Sequence, residues 1–504
     1  MSLDPVPTRI VKDCIDLWAP VLTSIVNTSF TSGKFPDNCK SAVVRPLIKK
    51  HDLERNELKN YRPVSNCSFL DKFLERCAFV QLNEYLNTNS LYGKFQSAYR
   101  QGHGTETALL KVHNDIMLAL DSKMDVFLIL LDLSAAFDTI DHSILLQRLK
   151  SRFHIRGNVI SWIEAFLCGR TQRISLGSMV SNERPLTFGV PQGSVLGPIL
   201  FSLYVTPLED IIIRHGCKTV IFADDTQIYI TCNNADNSVK IETCIDEIRQ
   251  WMKINFLALN DSKSEFIRFS SKFNRTRSDN DVSQIRVGDS VINSTSVVRN
   301  LGVYFDCEGT MDKHITNICK NASYSLWRIS KIRHLLDRVS TERLVHAFVS
   351  CRLDYCNGLL SGIHDFQFKK LRAIQNSAAR IVCQIGRRDS ITPILRNLHW
   401  LPVKLRVDFK ILCMVFKCIH LPTSPSYLKD LIIVNSRSYM SLRSDSSITL
   451  KRPQPPKTKT YGEKAFSIRA PALWNKLPSE IRDLLEFSKF KSKLKTHLFV
   501  SYFG

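Results

Sequence analysis

The hydrophobic positions of the chain switch between two periods, and each switch marks an element. Ile10, Cys14, Leu17, Val21 and Ile25 recur at helical spacing, across Pro20, and predict a helical extension over residues 1–40. Two β-prone pieces follow, 42–50 and 60–65, each carrying cations and punctuated by proline. Phe69, Phe73, Cys77, Val80 and Leu86 predict the buried side of a helix. A helix over about 107–120 is expected behind a Thr105 cap. The run Val126 to Leu131 is apolar without interruption, as in a strand buried on both faces, and it ends at Asp132. Leu145, Leu149 and Phe153 predict a helix capped by Ser143. A basic turn, 168–173, leads into a strand over 173–176.

Glycines at 189, 193 and 197 permit close backbone approach around Gln192. Ser194 is the expected cap of the helix that follows, with Leu200, Phe201, Leu203 and Tyr204 as its apolar body. Thr219 to Ile221 and Thr226 to Ile230 then flank Phe222-Ala223-Asp224-Asp225, which reads as a hairpin with two carboxylates at its tip. Ile241, Ile245, Ile248, Met252 and Phe256 predict an amphipathic helix, before a turn and strand that start at Lys263. Strand, helix, hairpin, helix and strand in this order make an α+β core of split βαβ character. Further on, the pattern predicts a polar linker over 274–284, a hairpin around Gly288-Asp289, a strand over 300–306, and basic helices from Lys313 to about His420. An exposed basic connector over 451–476 and a final helix over 478–499 complete the chain.

Charge narrows the partners. Lys and Arg number 69 against 47 Asp and Glu, a formal +22, which suits a polyanion. No lipidation signal or amphipathic anchor accompanies the excess, so nucleic acid is favoured over membrane. No run of 18 apolar residues and no secretory signal is found. The 15 cysteines form no C-x-x-C pair, so free thiols in a reducing compartment are expected rather than a zinc site. At 504 residues, two or more domains are expected.

Asp224 and Asp225 repel each other, and a divalent cation is the simplest compensation, although an Asp-Asp pair alone also suits a solvated turn. Asp132, at the end of a buried strand, is the candidate third carboxylate, with a plain strand end as the alternative. Lys49, Lys50, Arg62 and Arg100 are candidate phosphate contacts; scattered surface cations are the alternative. Gln192 faces whatever docks on the glycine-rich loop.

Taken together, these stretches resemble the reverse transcriptase of non-LTR (LINE-like) retrotransposons. Leu131 to Asp138, Pro191 to Pro198 and Phe222 to Asp225 resemble polymerase motifs A, B and C. Lys263 falls in motif D, and Asn300 to Val303 look like the primer grip. Leu58 to Ser65 and Phe95 to Arg100 resemble the fingers motifs, and Trp400 to Val403 with Leu473 to Pro478 resemble the element tail. The resemblance implies an α+β right-hand polymerase, with fingers, thumb and a palm of antiparallel sheet packed on helices, followed by a mostly helical C-terminal region. It divides the chain into an extension at 1–40, fingers and palm at 41–306, a thumb at 307–385 and a basic region at 386–504.

The implied activity is RNA-directed DNA synthesis: a DNA primer extended on an RNA template with dNTPs, by two-metal phosphoryl transfer using Mg²⁺, with Mn²⁺ as substitute. Asp132 and Asp224 are the implied bridging ligands, Asp225 an outer ligand, and the Leu133 carbonyl completes a metal shell. The resemblance puts Phe137 against a ribose 2′-hydroxyl, Gln192 and Gly193 at the nucleotide, Lys49 and Arg62 at the triphosphate, and Lys263 at the pyrophosphate. Arg100, Leu301 and Gly302 face primer and template. Such polymerases usually follow an apurinic-like endonuclease; none precedes the motifs here, so a truncated copy or fragment is expected. An intracellular, nuclear place suits target-primed synthesis; protein partners are not indicated. A decayed or domesticated nucleic-acid-binding protein is the alternative, and a docking protein a third class.

Overall fold

A computed structural model describes residues 4, 6–134, 137–232, 236–271, 274, 283–288, 290–435 and 448–504. The chain forms two compact units, one from Met1–Tyr99, Asp132–Arg214 and Cys244–Ser262, the other from Arg100–Leu131, His215–Thr243 and Lys263–Gly504. Most of the expected linker 274–284, and Asp289 of the expected hairpin turn, lie outside the described residues.

The second unit contains a four-stranded antiparallel sheet in the order Glu265–Phe269, Asp125–Leu131, Asp225–Cys232, Lys218–Phe222. Asp125–Leu131 is interior and buried along nearly its whole length, which is why its sequence is a continuous apolar run. Helix Thr105–Asp121 packs on this sheet. Its N-cap is Gly104, whose N–H is accepted by Thr107 Oγ1 at 2.9 Å; the expected cap, Thr105, is the first helical residue.

The helix is buried nearly all round because the C-terminal segment covers it as well. Ser467 donates its N–H to Asn114 at 2.9 Å. The Asp121 carboxylate accepts the N–H groups of Lys457 and Thr458 and the Thr458 hydroxyl, at 2.7–2.9 Å. Lys464 is buried and donates to the Gly309 carbonyl at 3.2 Å. Residues 451–476 are therefore not simply an exposed connector: they include helix Phe466–Trp474, with Phe466 and Trp474 in the core.

The expected strand over 300–306 is a hairpin instead, Val297–Asn300 against Val303–Asp306, because Leu301 and Gly302 take left-handed φ of 43° and 84°. Helix Asp312–Ile332 buries Ile315, Ile318, Ala322, Leu326 and Ile329, as the period predicts. Helices Asp365–Cys383, Val403–His420 and Phe487–Phe503 continue the helical layer.

In the first unit, strand Ser41–Ile48 pairs antiparallel with Tyr61–Asn66 and parallel with Arg170–Leu176. Helix Ile15–Ser32 lies against Gly157–Leu167, fixed by Trp162 Nε1 donating to Ser29 Oγ at 2.8 Å. The N-terminal stripe is rotated from expectation: Val11, Leu22 and Val26 are buried, while Ile10, Leu17 and Val21 are exposed. The buried stripe is displaced by one residue on both sides of the break at Cys14, between Thr8–Asp13 and Ile15–Ser32. Helix His142–Ser151 is capped by Asp141, which accepts the Ile144 N–H at 2.8 Å, rather than by Ser143. Helix Phe69–Thr88 buries Asp71, Leu74, Glu75, Leu82 and Leu86, whereas Val80 is exposed. Arg170, expected in a basic turn, is 1 % exposed and pairs with Asp71 at 2.8 Å. All 15 cysteines are free thiols.

Candidate active site

The two central strands set where the carboxylates fall. Leu131 pairs with Thr226, and the chain leaves the sheet at the next residue, Asp132. On the antiparallel partner, the residue before Thr226 is Asp225, which pairs with Phe222 and closes a two-residue turn of Ala223 and Asp224. Ala223 is buried and held at φ 58°, a backbone state costly for a residue with a side chain. Asp132 and Asp224 are half-buried and Asp225 is exposed. Asp224 and Asp225, both in the second unit, offer carboxylate oxygens, the donors that a hard divalent cation takes.

In the first unit, the segment after Asp132 is tied to residues 258–260. Leu133 and Ser134 pair with Leu259 and Ala258, and the Asp132 carbonyl accepts the Asn260 N–H at 2.9 Å. Lys263 ends the 3₁₀ turn that follows and is exposed.

The Gly-Gln loop closes on the same segment. Val190 donates its N–H to the Phe137 carbonyl at 2.9 Å, and Gln192 Nε2 reaches the Asp138 carboxylate at 3.2 Å. Desolvation pushes the Asp138 carboxyl above its usual range, and the Gln192 amide pulls it part of the way back. The Phe137 ring lies 4.9 Å from Phe201, on the helix behind the loop. Gln192 in turn accepts the Ser65 N–H at 2.7 Å. Gly193 takes φ 119°, and a Cβ there would come within 2.7 Å of the Ser65 carbonyl. Phe137, Gln192, Gly193 and the strand bearing Arg62 thus form one bonded cluster. Lys49 and Arg62 share the far end of the 41–66 hairpin, where Arg62 pairs with Leu47 and Lys49 Nζ donates to the Lys59 carbonyl at 2.7 Å. Lys49, Lys50 and Arg62 are exposed.

In the second unit, Arg100 lies in the loop before helix Thr105–Asp121 and is half-buried. The 297–306 hairpin is fastened to the Asp225 strand: buried Asn300 donates to Gln227 Oε1 at 2.8 Å. Leu301 accepts the Tyr355 hydroxyl at 2.7 Å, and the Tyr355 ring leaves little room beside Gly302.

Sequence reasoning did not single out Ser65, Asp138, Phe201 or Asn300 as parts of this arrangement. Ser65, Asp138 and Asn300 fall inside the motif stretches and could have been found there; Phe201, expected only as helix core, acts through its contact with Phe137, far from it in sequence.

The family described as reverse transcriptase (RNA-dependent DNA polymerase) matches residues 48–305, just over half of the 504. The RNA-directed DNA polymerase from mobile element jockey of Drosophila melanogaster is 29 % identical over 322 residues, 62 % of this chain and 34 % of that protein. The probable RNA-directed DNA polymerase from transposon X-element of the same organism is 27 % identical over 369 residues, 72 % of this chain and 39 % of that protein. The chain thus spans between a third and two fifths of the length of these two relatives. A solved apo telomerase from Candida tropicalis aligns at 12 % identity and a TM-score of 0.40, covering 81 % of this chain and 71 % of that one. With its strand, loop and hairpin all inside the matched span, the chain belongs to the reverse transcriptase family, of the kind carried by non-LTR retrotransposons.

Proposed function

We propose that the chain extends a DNA primer on an RNA template. The observation that carries this reading is the Leu131–Thr226 register, with Asp132 the residue after Leu131, Asp225 the residue before Thr226 on the antiparallel partner, and Asp224 in the adjoining turn. The primer 3′-oxygen forms a bond to the α-phosphorus of a dNTP, the α–β anhydride bond breaks, and pyrophosphate leaves with the electron pair. Asp132, Asp224, Asp225 and the Leu133 carbonyl would hold two divalent cations, Mg²⁺ or Mn²⁺ in its place. Such ions, when bound, neutralise charge on the attacking and leaving oxygens.

Gln192 and Gly193 seat the nucleotide, and Phe137, backed by Phe201, excludes a 2′-hydroxyl. Lys49 and Arg62 meet the triphosphate and Lys263 the leaving pyrophosphate. Arg100 and the Leu301-Gly302 turn face the primer and template. Residues 41–306 act as fingers and palm, and 307–385 as a thumb. The exposed face of helix Asp312–Ile332 supports this, with Tyr324 stacked on Trp327 and Arg328 and Lys331 over their rings. Such a face suits phosphates and bases without reading sequence. Among the described residues no helix is long and apolar enough to cross a membrane. A nuclear place of action, where genomic DNA can serve as primer, belongs to the same proposal.

The test is primer extension by purified protein on poly(rA)/oligo(dT) with dTTP and Mg²⁺, with a DNA template in parallel. Extension on the RNA template is expected. A folded protein that binds the duplex and extends nothing would sink the reading and leave a nucleic-acid-binding protein.

A further inference from the structure

Helix Phe69–Thr88 places two carboxyls, Asp71 and Glu75, in the core, each 0 % exposed. Only one cation of the described residues is recorded paired with them. Arg170 Nη2 donates to Asp71 Oδ2 at 2.8 Å, and its guanidinium lies 4.8 Å from the Phe166 ring centroid. Glu75 Oε2 accepts the N–H of Leu196 at 2.7 Å. Leu196 is the N-cap of helix Gly197–Tyr204, the helix that backs the Gly-Gln loop. The early N–H groups of a helix lack partners within it, and Glu75 supplies one from another element.

Two carboxylates this close over a single guanidinium cannot both stay charged in a buried site. Glu75 is pushed up to about 8, by burial first and by the charge of Asp71 second. Asp71 Oδ1 and Glu75 Oε1 both lack a hydrogen-bond partner, and one proton held by the pair would serve both. Cys67 Sγ is close enough to complete a set of three donors with the two carboxyls. With one proton shared, the Arg170 charge balances the pair, and the cluster has no need of a metal ion.

The residues before this helix grip the other end of the loop. Ser65 holds Gln192 through its N–H and leaves space beside its carbonyl only for glycine at 193. One continuous stretch, 65–75, therefore fastens the loop at Gln192 and again at Leu196.

We propose that Glu75 is a positioning residue for the incoming nucleotide, acting through the Leu196 N–H to fix the helix start that sets Gln192 and Gly193. The inference rests on the polymerase reading and adds to it a buried residue that touches no substrate. What matters is the reach of the side chain to Leu196, not its negative charge.

Two near-isosteric variants separate these. Glu75→Gln keeps a carbonyl oxygen at the same reach and removes the charge. Glu75→Asp keeps the charge and withdraws it by one methylene. Primer extension on poly(rA)/oligo(dT) across dTTP concentrations, with duplex Kd and Tm measured for each, gives the readout. Glu75→Gln is expected within threefold of wild type in KM for dTTP. Glu75→Asp is expected to raise that KM at least tenfold, with kcat within threefold and duplex Kd unchanged. The inference is overturned if Glu75→Gln is impaired as much as Glu75→Asp, if Glu75→Asp leaves KM unchanged, or if kcat and duplex affinity fall together with KM. A wild-type chain that extends no primer overturns the polymerase reading and this inference with it.

Discussion

Gly193→Ala tests the seating of the nucleotide loop by a single methyl group. The added Cβ would lie 2.7 Å from the Ser65 carbonyl oxygen, inside any real contact distance. That oxygen belongs to backbone in a paired strand, and the Ser65 N–H is itself bonded to Gln192. The loop must therefore move. Alanine at φ 119° costs about 1–3 kcal/mol, and losing the Ser65–Gln192 bond adds about 0.5–1.5 kcal/mol. A total of about 1.5–4.5 kcal/mol corresponds to roughly 10- to 1,600-fold at about 1.4 kcal/mol per tenfold. Steady-state kcat/KM for dTTP should fall by that order, with duplex affinity retained. Gly177→Ala is the control: its φ is also left-handed at 63°, but a Cβ there meets nothing within 4 Å. It should cost about 1 kcal/mol of stability and leave kcat/KM unchanged. If Gly193→Ala keeps both the kcat/KM and the Tm of wild type, the close approach described here is wrong.

Three further outcomes follow from the same geometry. Arg170→Met leaves Asp71 buried without its cation and should destabilise the fold by about 3–5 kcal/mol in urea unfolding; a change under about 1 kcal/mol would contradict the buried pair. Glu75 has a folded pKa of about 8, raised from 4.5, so its contribution to stability is full below about pH 4.5 and is lost as pH rises to about 8. Stability should decline over that window by on the order of 1 kcal/mol per pH unit, and Glu75→Gln should remove the decline; a variant with the same slope as wild type would exclude Glu75 as its source. Phe137→Val should raise the use of rUTP relative to dTTP at least tenfold, and Phe201→Ala should shift the ratio the same way by less; unchanged selectivity in both would remove Phe137 from the sugar site.

How much of this could be read from sequence depends on whether neighbours in space are also neighbours in the chain. The Val126–Leu131 run and the Ala223-Asp224 turn were legible because a buried strand and a tight hairpin are local patterns. The helical stripe from Ile315 to Ile329 was legible for the same reason. Asp71 and Glu75 were not, because charged residues default to the surface and their compensation lies far off, at Arg170 and Leu196. The basic stretch 451–476 looked exposed by composition. Its hidden partners are Asp121 and the Gly309 carbonyl, more than a hundred residues upstream. A single strand was expected over 300–306 because Leu301, apolar and mid-pattern, gives no sign that it takes a left-handed turn.

The central claim is that one strand register delivers the carboxylates of a polymerase. Single-turnover primer extension on poly(rA)/oligo(dT) by Asp132→Asn, Asp224→Asn and Asp225→Asn, each checked for folding and duplex binding, tests it most directly. The account predicts at least about a thousandfold loss, roughly 4 kcal/mol of barrier, for Asp132→Asn and Asp224→Asn, and a smaller loss for Asp225→Asn. Extension by Asp224→Asn within tenfold of wild type would contradict it.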